Sequence, residues 1–426
     1  MTALRAVKGM NDLLPAESAR WQSLERAFDT AMQRAGFGEV RTPLVESTAL
    51  FVRAIGEVTD VVEKEMYSFE HGRDALSLRP EGTAGVVRAY IEHKVHNTEP
   101  VTRWYYKGAM FRAERPQRGR YRQFHQLGAE VFGDPGPAVE AEVIGALMQF
   151  LVDAGVEAPR LLLNTLGSGD TRERYKQRLV AYFTPRSAEL SEDSQRRLLG
   201  NPLRILDSKS PADIALCVYA PSLYEVLSPE DNEHFAGLCA GLDALGVEYT
   251  VDSKLVRGLD YYCRTLFEVK GASDKLGAGD TLAGGGRYDG LPKTFGGPDV
   301  PCFGFGVGVE RLAIATEGHV SAVGAAPPLD VMCVALSPAA QGAALRAASQ
   351  LRAAGFLATC EARGASLKAV LRRAETIQAR YALLIGDDEL AGGVAQLKNL
   401  AARSQQTISL TSLVEAIHAS QGQLLP

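Results

Sequence analysis

The sequence predicts an α+β protein of two domains: a large β-rich domain carrying a helical insertion, and a small C-terminal α/β domain. Three observations predict it. Two β-patterned runs, residues 103–110 and 126–132, flank a loop crowded with arginine. Charged, helix-patterned segments broken at Pro185, Pro202, Pro211 and Pro221 fill about residues 169–245. After a Gly- and Pro-containing linker, strand and helix patterns alternate to the end of the chain. A length of 426 residues is too great for one ordinary core. The expected boundaries are 1–320 for the large domain, 321–328 for the linker and 329–426 for the small domain.

Each element follows from a local pattern. Residues 16–35 form an amphipathic helix with Trp21, Leu24, Phe28, Ala31 and Met32 on one face. Gly36 ends it, and residues 38–43 read as a short strand closed by proline. A helix over 138–154 is bounded by Gly155, and 160–165 reads as a buried strand. Strands over 251–267 and 303–309 flank the glycine-rich 283–290. In the small domain, strands are expected at 331–336, 357–360 and 381–385 and helices at 339–354 and 367–377. A short strand and helix over 410–418 close the chain.

Composition narrows the function classes. Hydrophobic residues at 46% and charged residues at 23% are the proportions of a soluble globular protein. The apolar runs fall far short of the roughly 20 residues that span a bilayer, and no signal segment opens the chain. No membrane association is expected. The six cysteines show no CxxC spacing, which argues against a zinc knuckle and a disulfide framework and points to a reducing cytoplasm. The histidines have no metal-ligand spacing either: His93 and His96 read as a partly exposed helix pair, and His125 as a packed strand residue. A net charge of −5 excludes a uniformly basic nucleic-acid binder but not a local basic surface.

The residues with the clearest chemistry lie between the first two strands. Arg112, Arg115, Arg118, Arg120 and Arg122 crowd into eleven residues. Held on a hairpin, such guanidinium groups can fork onto phosphates, and Phe124 on the return strand offers a face for a purine. Alone, the run reads equally as a solvated basic loop.

Phe111-Arg112-Ala113-Glu114, the loop, and then Arg120-Tyr121-Arg122-Gln123-Phe124 resembles the second signature of class II aminoacyl-tRNA synthetases. Gly304-Phe305-Gly306-Val307-Gly308-Val309-Glu310-Arg311-Leu312 resembles the third, and residues 16–43 the first, in the family's order. Leu255-Val256-Arg257-Gly258-Leu259-Asp260-Tyr261-Tyr262 and Ala283-Gly284-Gly285-Gly286-Arg287-Tyr288-Asp289 look like the two signatures of the histidyl-tRNA synthetase family. Arg79-Pro80-Glu81-Gly82-Thr83, Lys8 to Asp12 and Gln123 to Gly128 also match that family, so the resemblance spans essentially the whole chain. It implies an antiparallel-sheet catalytic domain, an anticodon-binding domain at residues 329–426, and a homodimer acting on L-histidine, ATP and tRNA(His).

The chemistry of histidine activation can be set against these residues. A cationic α-amino group needs a carboxylate and a neutral acceptor, which Glu81 and Thr83, read as two apart on one strand face, would supply. A neutral imidazole has one donor and one acceptor nitrogen, complementary to a carboxylate and a hydroxyl. The resemblance gives those roles to Glu130 and Tyr262, with Tyr261 in the same pocket. Gln126 would reach the substrate's carboxylate or amino end, and Tyr288 with the preceding glycines would form the far wall. Attack of an already ionised carboxylate on the α-phosphorus of ATP requires no general base, so positioning and charge neutralisation dominate. The resemblance implies Arg112 on the α-phosphate and Arg257 in place of a metal ion. It puts Arg311 and Arg120 on the β- and γ-phosphates and Phe124 on adenine beside Glu114. Mg2+ is expected with the pyrophosphate end of ATP, and no structural metal is expected. For RNA, Lys368 and Arg372 on the small domain and Arg115, Gln117 and Arg118 in the arginine-rich loop are the candidates.

Two other readings fit the same fold. A non-catalytic relative, the regulatory subunit of a short-form ATP phosphoribosyltransferase, would sense histidine without activating it. Such relatives usually lack the C-terminal domain and the ATP-binding arginines, whereas Arg112, Arg257 and Arg311 are all present. An RNA-binding pseudo-synthetase would show gaps in the nucleotide-contacting set, and there are none.

Overall fold

The computed structural model describes residues 3–56, 59, 61–206, 208–256, 261–271, 276, 280–318, 329–361 and 366–422. The chain divides into two compact units, Met1–Gly324 and Ala325–Pro426.

The first unit opens with α1 (Pro15–Arg34), whose fixed-φ proline starts the helix and whose Trp21, Leu24, Phe28 and Met32 turn one face inward. Gly36, at φ +78°, ends it. The elements β1 (Gly38–Glu39), β2 (Val45–Ser47), α2 (Thr48–Ile55), β3 (Ser68–His71), β4 (Asp74–Leu78) and α3 (Thr83–Glu92) lead to the central hairpin of β5 (Thr102–Phe111) and β6 (Gln123–Phe132). Then come α4 (Pro137–Asp153), β7 (Arg160–Thr165), four helices α5 (Gly169–Phe183), α6 (Glu192–Gly200), α7 (Pro211–Cys217) and α8 (Pro229–Ala244), and β8 (Tyr249–Val251). The unit finishes with β9 (Cys263–Lys270), β10 (Thr281–Arg287), α9 (Leu291–Thr294), β11 (Cys302–Gly308) and α10 (Val309–Ala315).

An eight-stranded sheet in the order β1-β5-β6-β11-β10-β9-β7-β8 organises these elements. The pairs β1/β5 and β7/β8 are parallel and all the others antiparallel. Strand periodicity assigns its two faces. On β6, Leu127, Ala129 and Val131 enter the main core with Phe28 of α1, Ile144 and Leu147 of α4, and Leu238 and Leu242 of α8. Phe124, Gln126, Gly128 and Glu130 therefore occupy the opposite face. There, a second core of Phe51, Val86, Tyr90, Tyr106, Phe132 and Tyr288 covers one end and leaves the rest open as a cleft.

The insertion has its own core, built from Tyr175, Leu179, Phe183, Leu190, Leu203, Ile205 and Leu223 among others. Its last helix, α8, belongs instead to the main core. A buried polar cluster reinforces that attachment: His234 on α8 lies 2.8 Å from Glu140, which also accepts from Arg287 and Thr265.

Two local expectations change. The expected strand over 251–267 is split, because Asp252 caps a turn through the backbone NH of Lys254 and β9 starts only at Cys263. Thr83 does not share a strand face with Glu81. Strand β4 stops at Leu78 and Thr83 opens α3, with the Glu81 carboxylate accepting from the NH groups of Thr83 at 2.7 Å and Ala84 at 2.8 Å. Glu81 thus satisfies amides that a helix start leaves unpaired.

In the second unit, β12 (Val331–Ala335), β13 (Ala358–Glu361), β14 (Tyr381–Ile385), β15 (Val394–Asn399) and β16 (Ser404–Ser409) form a sheet in the order β13-β12-β14-β15-β16. Strand β12 runs parallel to both neighbours, and β14-β15-β16 is antiparallel. Helices α11 (Gln341–Ala353), α13 (Asp387–Gly392) and α14 (Leu413–Gly422) pack on one face, and α12 (Leu367–Thr376) meets the other through Val370 and Ala374. The closing strand lies at 404–409, ahead of the expected 410–418, where a helical turn runs into α14.

Candidate active site

The site rests on a pavement of glycines. Register places Glu130 beside Gly304 and Gly286, and Gly128 beside Gly306 and Gly284, across β6, β11 and β10. A Cβ at Gly304 would stand 1.7 Å from Glu130 Oε2, so only glycine leaves that carboxyl its place. Above this floor, one pocket is lined by Glu81, Thr83, Tyr106, Gln126, Glu130, Tyr261, Tyr262 and Tyr288. It contains every described residue expected to hold histidine.

Glu130 is the pocket's hub and is fully buried. Thr83 Oγ1 donates to its Oε1 at 2.8 Å, and the Tyr288 hydroxyl to its Oε2 at 2.5 Å. Burial pushes the Glu130 carboxyl up to about 8, against the opposing pull of the Tyr288 and Thr83 hydroxyls. Burial also raises Glu81, while the Ala84 and Thr83 amides pull it back. The hydroxyls of Tyr106, Tyr261 and Tyr288 are pushed well above the ordinary phenol value by burial and keep their protons. The pocket thus presents neutral hydroxyl donors and two buried carboxyl groups. Gln126 Oε1, also buried, has no hydrogen-bond partner among the described residues.

A second, wider cleft adjoins the first and shares Arg112, Gln126, Gly284 and Gly306 with it. Its walls include Glu114, Arg120, Phe124, Thr281 and Arg311. Arg112 is held by Nε donating to the Pro80 carbonyl at 2.9 Å, and its guanidinium lies 5.3 Å from the Phe124 ring centre. Arg120 pairs with Glu114 at 3.3 Å. Arg311 donates to the carbonyls of Gly119 at 3.2 Å and Thr281 at 2.8 Å, bridging the loop to β10. Cationic side chains and an aromatic face thus open onto a polar pocket, with Arg112 at the junction.

Arg257 lies outside the described residues, as do Gly258, Leu259 and Asp260 of the same motif. Arg115, Gln117 and Arg118 are exposed on the loop outside the pocket, Arg118 lying 3.5 Å from Glu317. Lys368 and Arg372 are exposed, four apart on α12. His125 is a packed strand residue: its ring meets Trp21 edge-on at 4.8 Å, and its backbone NH donates to Glu310 at 2.9 Å.

The sequence motifs contain Arg79 and Glu310 without giving them a role, and do not contain Tyr106. Tyr106 lines the pocket with Thr83 and Glu130, and its ring fills space left by Gly82 and Gly128. Arg79 is buried beside Gly108, donating to the Ala109 carbonyl at 2.9 Å and to the Thr42 carbonyl at 3.1 Å. Glu310 ties α10 to β6 through His125. Only the pairing of Tyr106 with Gly128 across the hairpin would have flagged that tyrosine.

A mostly antiparallel sheet with an arginine-bearing hairpin, a glycine-floored cleft and a strand running into Glu310-Arg311 defines the catalytic fold of a class II aminoacyl-tRNA synthetase. The histidyl-tRNA synthetase family profile matches residues 9–168 and 220–312, and an anticodon-binding domain profile matches 330–420. The unmatched stretch between the first two segments falls within the insertion. A histidine–tRNA ligase of Sorangium cellulosum is 54% identical over 410 residues, covering 96% of this chain and 94% of that protein. One from Syntrophotalea carbinolica is 44% identical over 97% of this chain and 98% of its own. The crystal structure of apo S. aureus histidyl-tRNA synthetase superposes with a TM-score of 0.82 at 34% identity, covering 97% of this chain and all of that one. The chain belongs to the histidyl-tRNA synthetase family.

Proposed function

We propose that the chain activates L-histidine with ATP to histidyl-adenylate, releasing pyrophosphate, and transfers histidine to the 3′ end of tRNA(His). The observation that carries this is the junction of two chemically distinct cavities at Arg112 and Gln126. One is built for a small polar side chain and the other for a polyanion with an aromatic base.

In this reading the imidazole lies between Glu130 and Tyr262, with Tyr261 and Tyr288 closing the pocket. Near neutral pH Glu130 keeps its proton, so an entering ring and this carboxyl share one proton between them. Either arrangement pairs a donor with an acceptor, and an apolar isostere offers neither to the buried carboxyl, a rejection worth ~10⁴. Glu81, already accepting two amides, takes the α-amino group with Thr83. The unpartnered Gln126 Oε1 is a further acceptor for that end.

Arg112 stands where the histidine carboxylate and the α-phosphate meet. Arg257 would neutralise charge on the same phosphoryl group. Arg120 and Arg311 take the outer phosphates, and Phe124 stacks on adenine beside Glu114. Among the described residues no group of three or more His, Cys, Asp or Glu is placed to hold a metal ion. Mg2+ is expected to enter on the phosphates of ATP, where it would neutralise the leaving pyrophosphate. Arg115, Gln117 and Arg118 face the acceptor end of the tRNA, while Lys368 and Arg372 serve the anticodon side. Residues 1–320 and 329–426 are the catalytic and anticodon-binding domains, joined by the linker 321–328, and the protein works as a cytoplasmic homodimer. No helix among the described residues is long and apolar enough to cross a membrane.

The test is exchange of labelled pyrophosphate into ATP, expected only when L-histidine is present. Histidine binding without exchange would overturn the ligase reading in favour of a regulatory relative.

A further inference from the structure

The insertion adds to the ATP cleft a residue that its own folding does not require. Leu203 and Ile205 are buried in the insertion's core within a short helical turn. Arg204, between them, is half-buried and lines the cleft with Arg112, Arg120, Arg311 and Val256. The other three arginines of the cleft wall are all engaged, with Glu114, the Pro80 carbonyl, or the Gly119 and Thr281 carbonyls. The Arg204 side chain has neither an ion pair nor a hydrogen bond among the described residues. The nearby carboxylates are already committed, Glu310 to His125 and Glu268 to Thr281. A partly desolvated guanidinium without an acceptor leaves a site for an anion.

The insertion is also fixed where it meets the cleft. The Tyr224 hydroxyl donates to Asn164 Oδ1 on β7 at 3.2 Å. The amide of that same Asn164 donates to the Leu255 carbonyl at 2.9 Å, next to Val256 in the cleft wall. At the insertion's entry, Asp231 of α8 accepts from Thr171 Oγ1 at 2.6 Å and from both the backbone NH and hydroxyl of Ser168 at 3.1 Å. One asparagine thus holds both the insertion and the segment leading to Arg257.

We propose that Arg204 is a further guanidinium for the polyphosphate of ATP, supplied by the insertion, so that nucleotide binding favours the insertion position seen here. This rests on the ATP reading of the cleft given above. A nucleotide is favoured over RNA as the anion because Arg204 lies inside the cleft with Arg112 and Arg311, whereas the loop residues Arg115 and Arg118 are exposed outside it.

Pyrophosphate exchange on the full chain, with ATP and L-histidine varied in turn, tests the proposal. Arg204→Ala is expected to raise KM for ATP by ~10-fold or more, the scale of a charge-assisted hydrogen bond, and to leave KM for histidine within about twofold. Arg204→Lys, which keeps the charge and the aliphatic stem, should fall between it and the parent and serves if the alanine variant folds poorly. Arg196→Ala, an exposed insertion residue paired with Asp193, should match the parent. Parent-like KM for ATP in both Arg204 variants overturns the proposal. So does a defect confined to tRNA charging, which would assign the residue to RNA. Absence of exchange in the parent itself would instead remove the ATP reading on which the proposal stands.

Discussion

Replacing Glu130 by Gln is expected to stabilise the fold while disabling histidine use. In the folded protein the Glu130 carboxyl titrates at about 8, against an ordinary value of 4.5. The unfolded chain releases this proton near the ordinary value, while the folded chain holds it until the higher one. The stability linked to this group is therefore fully present below about pH 4.5, declines as pH rises, and is lost above about 8. At about 1.36 kcal/mol per pH unit the whole interval amounts to roughly 5 kcal/mol. An amide does not titrate and escapes that loss. Against this, the amide has a single oxygen where Thr83 and Tyr288 now donate to two, so one bond must reverse at a cost of about 1 kcal/mol. The net expectation is a variant roughly 3 kcal/mol more stable than the parent at pH 8, with the advantage gone by pH 5. Histidine loses the carboxyl that shares a proton with its ring, which should raise its KM in pyrophosphate exchange by ~100-fold. Denaturant unfolding at the two pH values and exchange kinetics at one read all three effects. A stability difference that does not change with pH, or a parent-like KM for histidine, would refute the assignment of Glu130 as a buried, proton-holding hub.

Three further outcomes follow from the same geometry. Tyr288→Phe removes the 2.5 Å hydrogen bond to Glu130 and should raise KM for histidine by ~10-fold while sparing KM for ATP, both read by exchange. Gly304→Ala brings a methyl group to 1.7 Å from Glu130 Oε2 and 2.6 Å from the Ala129 carbonyl. Because backbone must shift to admit it, histidine-dependent exchange should fall by at least ~10-fold, an expectation that near-normal kinetics would contradict. Arg287→Met leaves Glu140 buried without its guanidinium partner and should cost about 3–5 kcal/mol in denaturant unfolding.

Much of this site is legible in the sequence because strand alternation is strict. Once β6 is recognised, Phe124, Gln126 and Glu130 must share a face, and the core residues between them must face away. What alternation does not show is what lies across the register. The glycines of β10 and β11 are visible as a composition, but their pairing opposite Glu130 and Gly128 needs the sheet. Tyr106 was missed for the same reason, its role being set by the absent side chains at Gly82 and Gly128. Thr83 reads as a strand residue because the residue capping its helix is Glu81, outside the usual Ser, Thr, Asp and Asn set that marks a helix start. In the second unit the closing strand reads too far along the chain because the edge position of β16 leaves Ser404 to Thr407 exposed, without the apolar alternation that announces a strand. Arg204 sat in a proline-broken stretch that gave no hint of facing the cleft.

A crystal structure of the chain with a non-hydrolysable histidyl-adenylate analogue tests the placement of both substrates at once. The imidazole is expected between Glu130 and Tyr262, the phosphate surrogate at Arg112, and adenine on Phe124. An analogue bound with its ring away from Glu130, or with its base off Phe124, would contradict this placement.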